Sequence, residues 1–201
     1  MECDILMKKL NRINSTVSIE DIIDSSKADS GGSRDVNFLK FLLDNKILIR
    51  EEAIFKRTIT DYKESYFQKN YKKASFESTR HYLCRALIQE ELMLLGIKTS
   101  NWVEIGDINI LRANSNYDIA ADDLSFIIDI GLTPARNFFR GLTDLRVKYY
   151  LTTNYFDDYI DDIIFVLFKR SDDNTFIDAV KDYEEGFRLY TPVQEENMLN
   201  F

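Results

Sequence analysis

The run SFIIDIG, Ser125 to Gly131, constrains the fold most, because it sets one carboxylate, Asp129, inside an apolar stretch of the kind buried on both faces of a sheet. A carboxylate there needs a partner, whether a cation, hydrogen-bond donors or a metal. DIIFVLFKR, Asp162 to Arg170, is a second such run, and strands buried on both faces require helices on both sides. Two weaker strand signals precede SFIIDIG: TSNWVEIGDINI, broken at Gly106-Asp107, and the short YDIAAD. Helical spacing recurs in SFESTRHYLCRALIQEELMLLG through Leu83, Ala86, Leu87, Glu90 and Leu94, with Gly96 as terminator. Thr133 and Pro134 read as the cap and first residue of another helix, and a last helix is expected around Thr175 to Glu185. Helix, three strands, helix, strand, helix is the order of an α/β fold, a mixed β-sheet flanked by helices.

Upstream, residues 1–60 read as a small winged-helix-like unit. Ser18 can cap a short helix, IEDIIDSS, and a second starts near Ser33 with Asp35 in its first turn. KILIREEAIFKRT then alternates around Glu51-Glu52 as a hairpin would, and Ile22, Leu39, Leu42, Leu48 and Ile54 are its expected apolar cluster. Residues 61–74 are the expected linker helix, and 75–201 the α/β domain. In the linker, DYKESYFQKNYKK interleaves tyrosines with lysines, a pattern that stacks bases and holds phosphates, or else packs its aromatics under the neighbouring domain.

Charge and cysteines narrow the function. Lys+Arg total 26 against Asp+Glu 34, a formal net charge of −8, so a chain-wide attraction for nucleic acid is absent and any contact must be local. No apolar run reaches the roughly 18 residues of a membrane span, and MECDILMKKL lacks the basic-then-apolar order of a secretion signal, so a cytoplasmic location is expected. Cys3 and Cys84 have no metal-ligand spacing.

A helix carrying Glu77 and His81, then Glu104 on a first strand, then YDIAA, then FIIDIG, resembles the PD-(D/E)XK, or restriction-endonuclease-like, nuclease superfamily. The resemblance implies a restriction-endonuclease-like core over Ser75 to Arg170, with Asp118 and Asp129 as the metal-binding acids, the carbonyl of Ile130 as a further ligand, and Mg²⁺ or Mn²⁺ as the ion. Gly131 stands where the motif has lysine. Arg136 and Arg140, four apart and so on one helix face, are candidates for the missing cation, and Glu77, ahead of Glu90 and Glu91, for an added carboxylate. The expected substrate is nucleic acid, DNA ahead of RNA, with a homodimer or protein partner on the N-terminal unit. The alternative is a catalytically inactive nuclease-fold module for nucleic-acid binding or protein interaction, in which Asp129 is the ion-pair partner of Arg136 and His81 is an ordinary lone histidine.

Overall fold

The computed structural model describes residues 1–14, 17–24, 32–59, 67, 69–107, 109–111, 115–153 and 162–190. Among these, five helices flank one seven-stranded mixed sheet. The helices are α1 (Glu2–Lys9), α2 (Gly32–Asp44), α3 (Thr79–Leu94), α4 (Ala135–Gly141) and α5 (Asp173–Tyr190). The strands are β1 (Leu10–Arg12), β2 (Leu48–Lys56), β3 (Thr99–Ile105), β4 (Ser115–Ala121), β5 (Phe126–Ile130), β6 (Tyr149–Thr153) and β7 (Asp162–Arg170), in the spatial order β1-β2-β7-β6-β5-β4-β3. Only the β5–β6 pair is parallel, as it must be when a crossover through α4 separates the two strands.

Side-chain alternation divides the interior in two. Phe126, Ile128 and Ile130 of β5 and Phe165 and Leu167 of β7 pack with Leu6 of α1 and Cys84, Ile88 and Leu92 of α3. Ile127, Tyr150 and Phe168 pack on the other face with Leu39 and Leu42 of α2, Phe138 of α4 and Phe176 of α5. This is the three-layer α/β arrangement anticipated from the two apolar runs. No helix among the described residues is long and apolar enough to cross a membrane.

The N-terminal residues depart from expectation. The hairpin sought around Glu51-Glu52 is one unbroken strand, β2, all nine of whose residues pair with β7. The two glutamates imitate a turn in sequence but are charge-paired on the strand, Glu51 with Arg12 at 2.8 Å and with Lys169, Glu52 with Arg50 at 2.6 Å. Ile22, Leu39, Leu42 and Leu48 share one core with Phe138, Tyr150 and Phe168, so residues 1–60 form no separate winged-helix-like unit, and the recruitment role attached to it loses its support. The described part of IEDIIDSS, residues 19–24, gives a turn rather than a helix, closed by reciprocal bonds between Ser18 and Asp21, and its last two residues lie outside the described residues. Beyond it Ile23 bridges Thr133 at the start of α4, so Thr133 is held there and does not cap the helix. Much of the expected linker helix lies outside the described residues; Phe67 and Tyr71 from it pack on Tyr82, Ala86 and Leu87 of α3.

One consequence is directly measurable. Residues 1–60 expressed alone should lack cooperative unfolding and dispersed amide resonances, because their apolar side chains have no sheet to cover. A folded fragment would restore the separate unit.

Candidate functional site

The register of β4 and β5 locates the site. Ile119 pairs with Ile128 and Ala120 with Ile127, so one step further Asp118 stands opposite Asp129, where the ladder stops. There the Ile130 N–H donates to Asp118 Oδ2 at 2.7 Å, a carboxylate taking the place of a strand partner's carbonyl. Core membership also breaks at this point. Tyr117 belongs to the core under α4, whereas Ile119 belongs to the core under α3.

Asp118 and Asp129 are thus brought together, their carboxyls within hydrogen-bonding reach of each other. Asp129 also accepts from the Tyr150 hydroxyl at 3.0 Å. Burial, then the charge of Asp118 and the hydrogen bond shared with it, push the Asp129 carboxyl up to about 7, against a smaller downward pull from Tyr150 and Asn137. Two adjacent carboxylates that resist carrying two charges are a natural seat for a proton or for a divalent cation.

A polar row on α3 approaches from the other side. His81, Arg85 and Gln89 are spaced by four and so lie along one line of α3, and Glu77, just ahead of the Ser78 N-cap, is drawn to the same line by its contacts with His81 and Arg85. His81 Nε2 is 3.0 Å from Asp118 Oδ2 and its Nδ1 is 2.7 Å from Glu77 Oε1. The fully buried Arg85 grips both oxygens of Glu77, each at 2.9 Å, and donates to Gln89 at 3.0 Å. Gln89 in turn donates to Asn101 and, at 3.3 Å, to Thr99 on β3. For Glu77, burial would raise the pKa, but the hydrogen bonds of Arg85, His81 and the Ala74 N–H outweigh it and lower it. For His81, burial would lower the pKa, but Asp118 and Glu77 outweigh it and raise it, so the imidazolium is favoured.

Trp102 completes the surroundings. The β3–β4 register steps from Asn101↔Ile119 to Val103↔Tyr117, leaving Trp102 opposite Asp118. Its φ of 54° is one that non-glycine residues adopt at a cost, of order 1–3 kcal/mol, and such backbone concentrates at functional sites. The indole stacks on His81, centroids 5.9 Å apart, and Phe76, 76% exposed, meets it edge-on at 5.0 Å. Phe76, Glu77, Ser78, His81 and Trp102 line a pocket of ≈ 270 Å³.

Other expected residues lie elsewhere. Arg136 is 2.6 Å from Glu184 on α5 and 3.5 Å from Asp35 on α2, so it is not the partner of Asp129. Arg140 donates to Ser115 at 3.3 Å and feels the charges of Arg136, Asp35 and Glu184. Asn137 of α4, between the two arginines, hydrogen-bonds Asp129. Glu91 binds the Thr58 and Ile59 N–H groups and Glu90 the Tyr71 hydroxyl, both structural roles, and Glu104 is exposed. Gly131, at the lysine position, is buried with φ 91°, a backbone state that disfavours any side chain there. Among the described residues no group of three or more His, Cys, Asp or Glu side chains is disposed to hold a metal ion. The available donor set is Asp118, Asp129 and backbone oxygen. The N–H and C=O of one strand residue point to the same side, so the Ile130 carbonyl faces the Asp118 gap as its N–H does. No family model matches the chain, and no curated protein or solved structure matches it.

The titration has a definite sign. Asp129 holds its proton more tightly folded than unfolded, so its contribution to stability is complete below its ordinary value of 3.8 and lost as pH rises through about 7. His81, raised from its ordinary 6.5, acts in the same direction, while Glu77 acts oppositely, losing its contribution only in acid. Asp129→Asn stays neutral at every pH, so between pH 5 and 8 its melting temperature should fall several degrees less than the wild type's. Parallel melting profiles would contradict the shared-proton geometry.

Proposed function

We infer that this chain is a metal-dependent nuclease of restriction-endonuclease-like fold, hydrolysing nucleic-acid phosphodiesters at Asp118 and Asp129. The observation that carries the reading is the meeting of these two carboxyls where β4 and β5 part, on a segment ordered α3, β3, β4, β5, α4, β6 with β5 and β6 parallel. That order is the one the sequence resemblance implies for the superfamily core.

The residues present fit a small divalent cation. Asp129 has an acid and two neutral hydrogen-bonding groups for neighbours, and its raised pKa marks a place where positive charge is favoured. Asp118, Asp129 and the Ile130 carbonyl would hold Mg²⁺ or Mn²⁺, which supplies a water of lowered pKa and offsets charge on the phosphate. The protein's own side chains do the rest. The Ile130 N–H and His81 orient Asp118, and Tyr150 and Asn137 orient Asp129. His81 puts positive charge at the acid pair, the part that the resemblance gives to lysine, and Glu77, clamped by Arg85, holds the ring's other nitrogen. Glu77 therefore acts as a positioning residue.

A second reading, a nuclease-fold binding module without catalysis, is favoured by Gly131, whose left-handed backbone disfavours the motif's lysine. Cleavage separates the two. With Mn²⁺ or Mg²⁺ the wild type should cut labelled DNA or RNA and lose all cutting in chelator, and Asp118→Asn and Asp129→Asn should each abolish it while folding normally. His81→Ala should lower the rate roughly 100-fold. Metal-independent background on single-stranded, double-stranded and branched substrates alike would leave the binding module standing.

A further inference from the structure

The pocket beside the acid pair has features that phosphodiester chemistry does not use. Phosphate hydrolysis needs acids and charge, yet the pocket wall is two aromatic rings, one of them 76% exposed on a chain whose other phenylalanines are mostly buried. The second ring, Trp102, is kept in place at the cost of a left-handed backbone. The segment leading to the pocket departs from the acidity of the chain. From residue 69 to 80 it carries Lys69, Lys72, Lys73 and Arg80, all exposed, against the single acid Glu77, which is buried and bound by Arg85. The segment is fastened from beneath. Arg85 donates to the Lys72 carbonyl at 2.9 Å, Glu77 accepts from the Ala74 N–H at 3.1 Å, and Lys73 donates to Thr79 at 2.9 Å.

We propose that this pocket binds a base of a single-stranded nucleic acid, stacked on Phe76 against the wall formed by Trp102 and His81, with the adjoining phosphates on Lys69, Lys72, Lys73 and Arg80. Exposed aromatic faces with interleaved cations are the arrangement by which single strands are held without sequence readout, since every base has a π-face and every link a phosphate. A paired base in a duplex has no free face to offer. His81 belongs both to this pocket and to the acid pair, so a strand seated here is led toward Asp118 and Asp129. The inference deepens the nuclease reading, which it takes as the reason for a strand to come here, and makes single strands the preferred substrate.

Binding measured in chelator, where metal-dependent cutting does not occur, tests the pocket apart from the catalysis. Trp102 is the chain's one tryptophan, so its fluorescence reports on this wall alone. Oligothymidine and oligouridine, titrated in separate arms, should quench that fluorescence, whereas a duplex of equal length should bind more weakly and quench little. Phe76→Ala should weaken binding roughly tenfold and Phe76→Tyr should restore it, because stacking on the ring is what is lost. Lys72→Glu together with Lys73→Glu should weaken binding and flatten its salt dependence. Phe41→Ala, at an exposed phenylalanine on α2, should change nothing. Melting curves confirm that each variant is folded. Equal affinity of the wild type and folded Phe76→Ala for both single strands, or quenching by duplex equal to that by single strands, would overturn the proposal, whether or not the acid pair cuts.

Discussion

The hydrogen bond from the Ile130 amide to the Asp118 carboxylate is the contact on which the site depends. Where β4 and β5 stop pairing, a backbone N–H would otherwise be left without a partner in the interior, and an orphaned donor there costs about 1–3 kcal/mol. Asp118 supplies the acceptor. In doing so it fixes its own carboxylate beside Asp129, where burial first and the Asp118 charge second raise the Asp129 pKa. The same oxygen of Asp118 holds His81, which in turn reaches Glu77 and through it Arg85. A single strand divergence thus organises a polar chain running from the β4–β5 junction to the buried Arg85 of α3.

That chain explains why α3 tolerates so much buried polarity. Arg85 is fully buried and Gln89, Glu90 and Glu91 are nearly so, as is Glu77 just ahead of the N-cap, on a helix set between the sheet and the side chains of Phe67 and Tyr71. Each of these groups has a partner, which is the condition for burying it at tolerable cost. The opposite face of the sheet solves the same problem separately, with Arg136 set between Asp35 and Glu184 to tie α4 to α2 and α5. The two networks face opposite sides of the sheet and serve different ends, one positioning the acid pair and the other joining helices.

Much of this was readable from the residues, and the failures have physical causes. SFIIDIG and DIIFVLFKR declared buried strands, and an acid inside the first had to meet a partner, as it does. β6 went unrecognised because KYYLTT is short and mixes polar with aromatic residues, although it is the parallel neighbour of β5. Four-residue spacing correctly put Arg136 and Arg140 on one face of α4, but periodicity does not say which way a face points, and the bridge of Ile23 to Thr133 sets the start of that helix. The row His81, Arg85, Gln89 was legible by the same spacing, with Glu77 one step before it ahead of the N-cap; read one residue at a time, it looked like scattered polarity. β2 was misread as a hairpin because adjacent glutamates resemble a turn, whereas both pair with β7 through the backbone and are balanced there by Arg12, Arg50 and Lys169.

In the proposed nuclease, Asp118 and Asp129 form one electrostatic unit able to exchange a proton for a divalent cation. Carbon-13 NMR of aspartate-labelled protein, titrated with and without Mg²⁺ and assigned through Asp129→Asn, measures this directly. The Asp129 carboxyl should titrate near 7 without metal, and that value should drop by more than about one unit when Mg²⁺ is added. An Asp129 resonance that titrates in the ordinary aspartate range, or one that stays near 7 at saturating Mg²⁺, would contradict it.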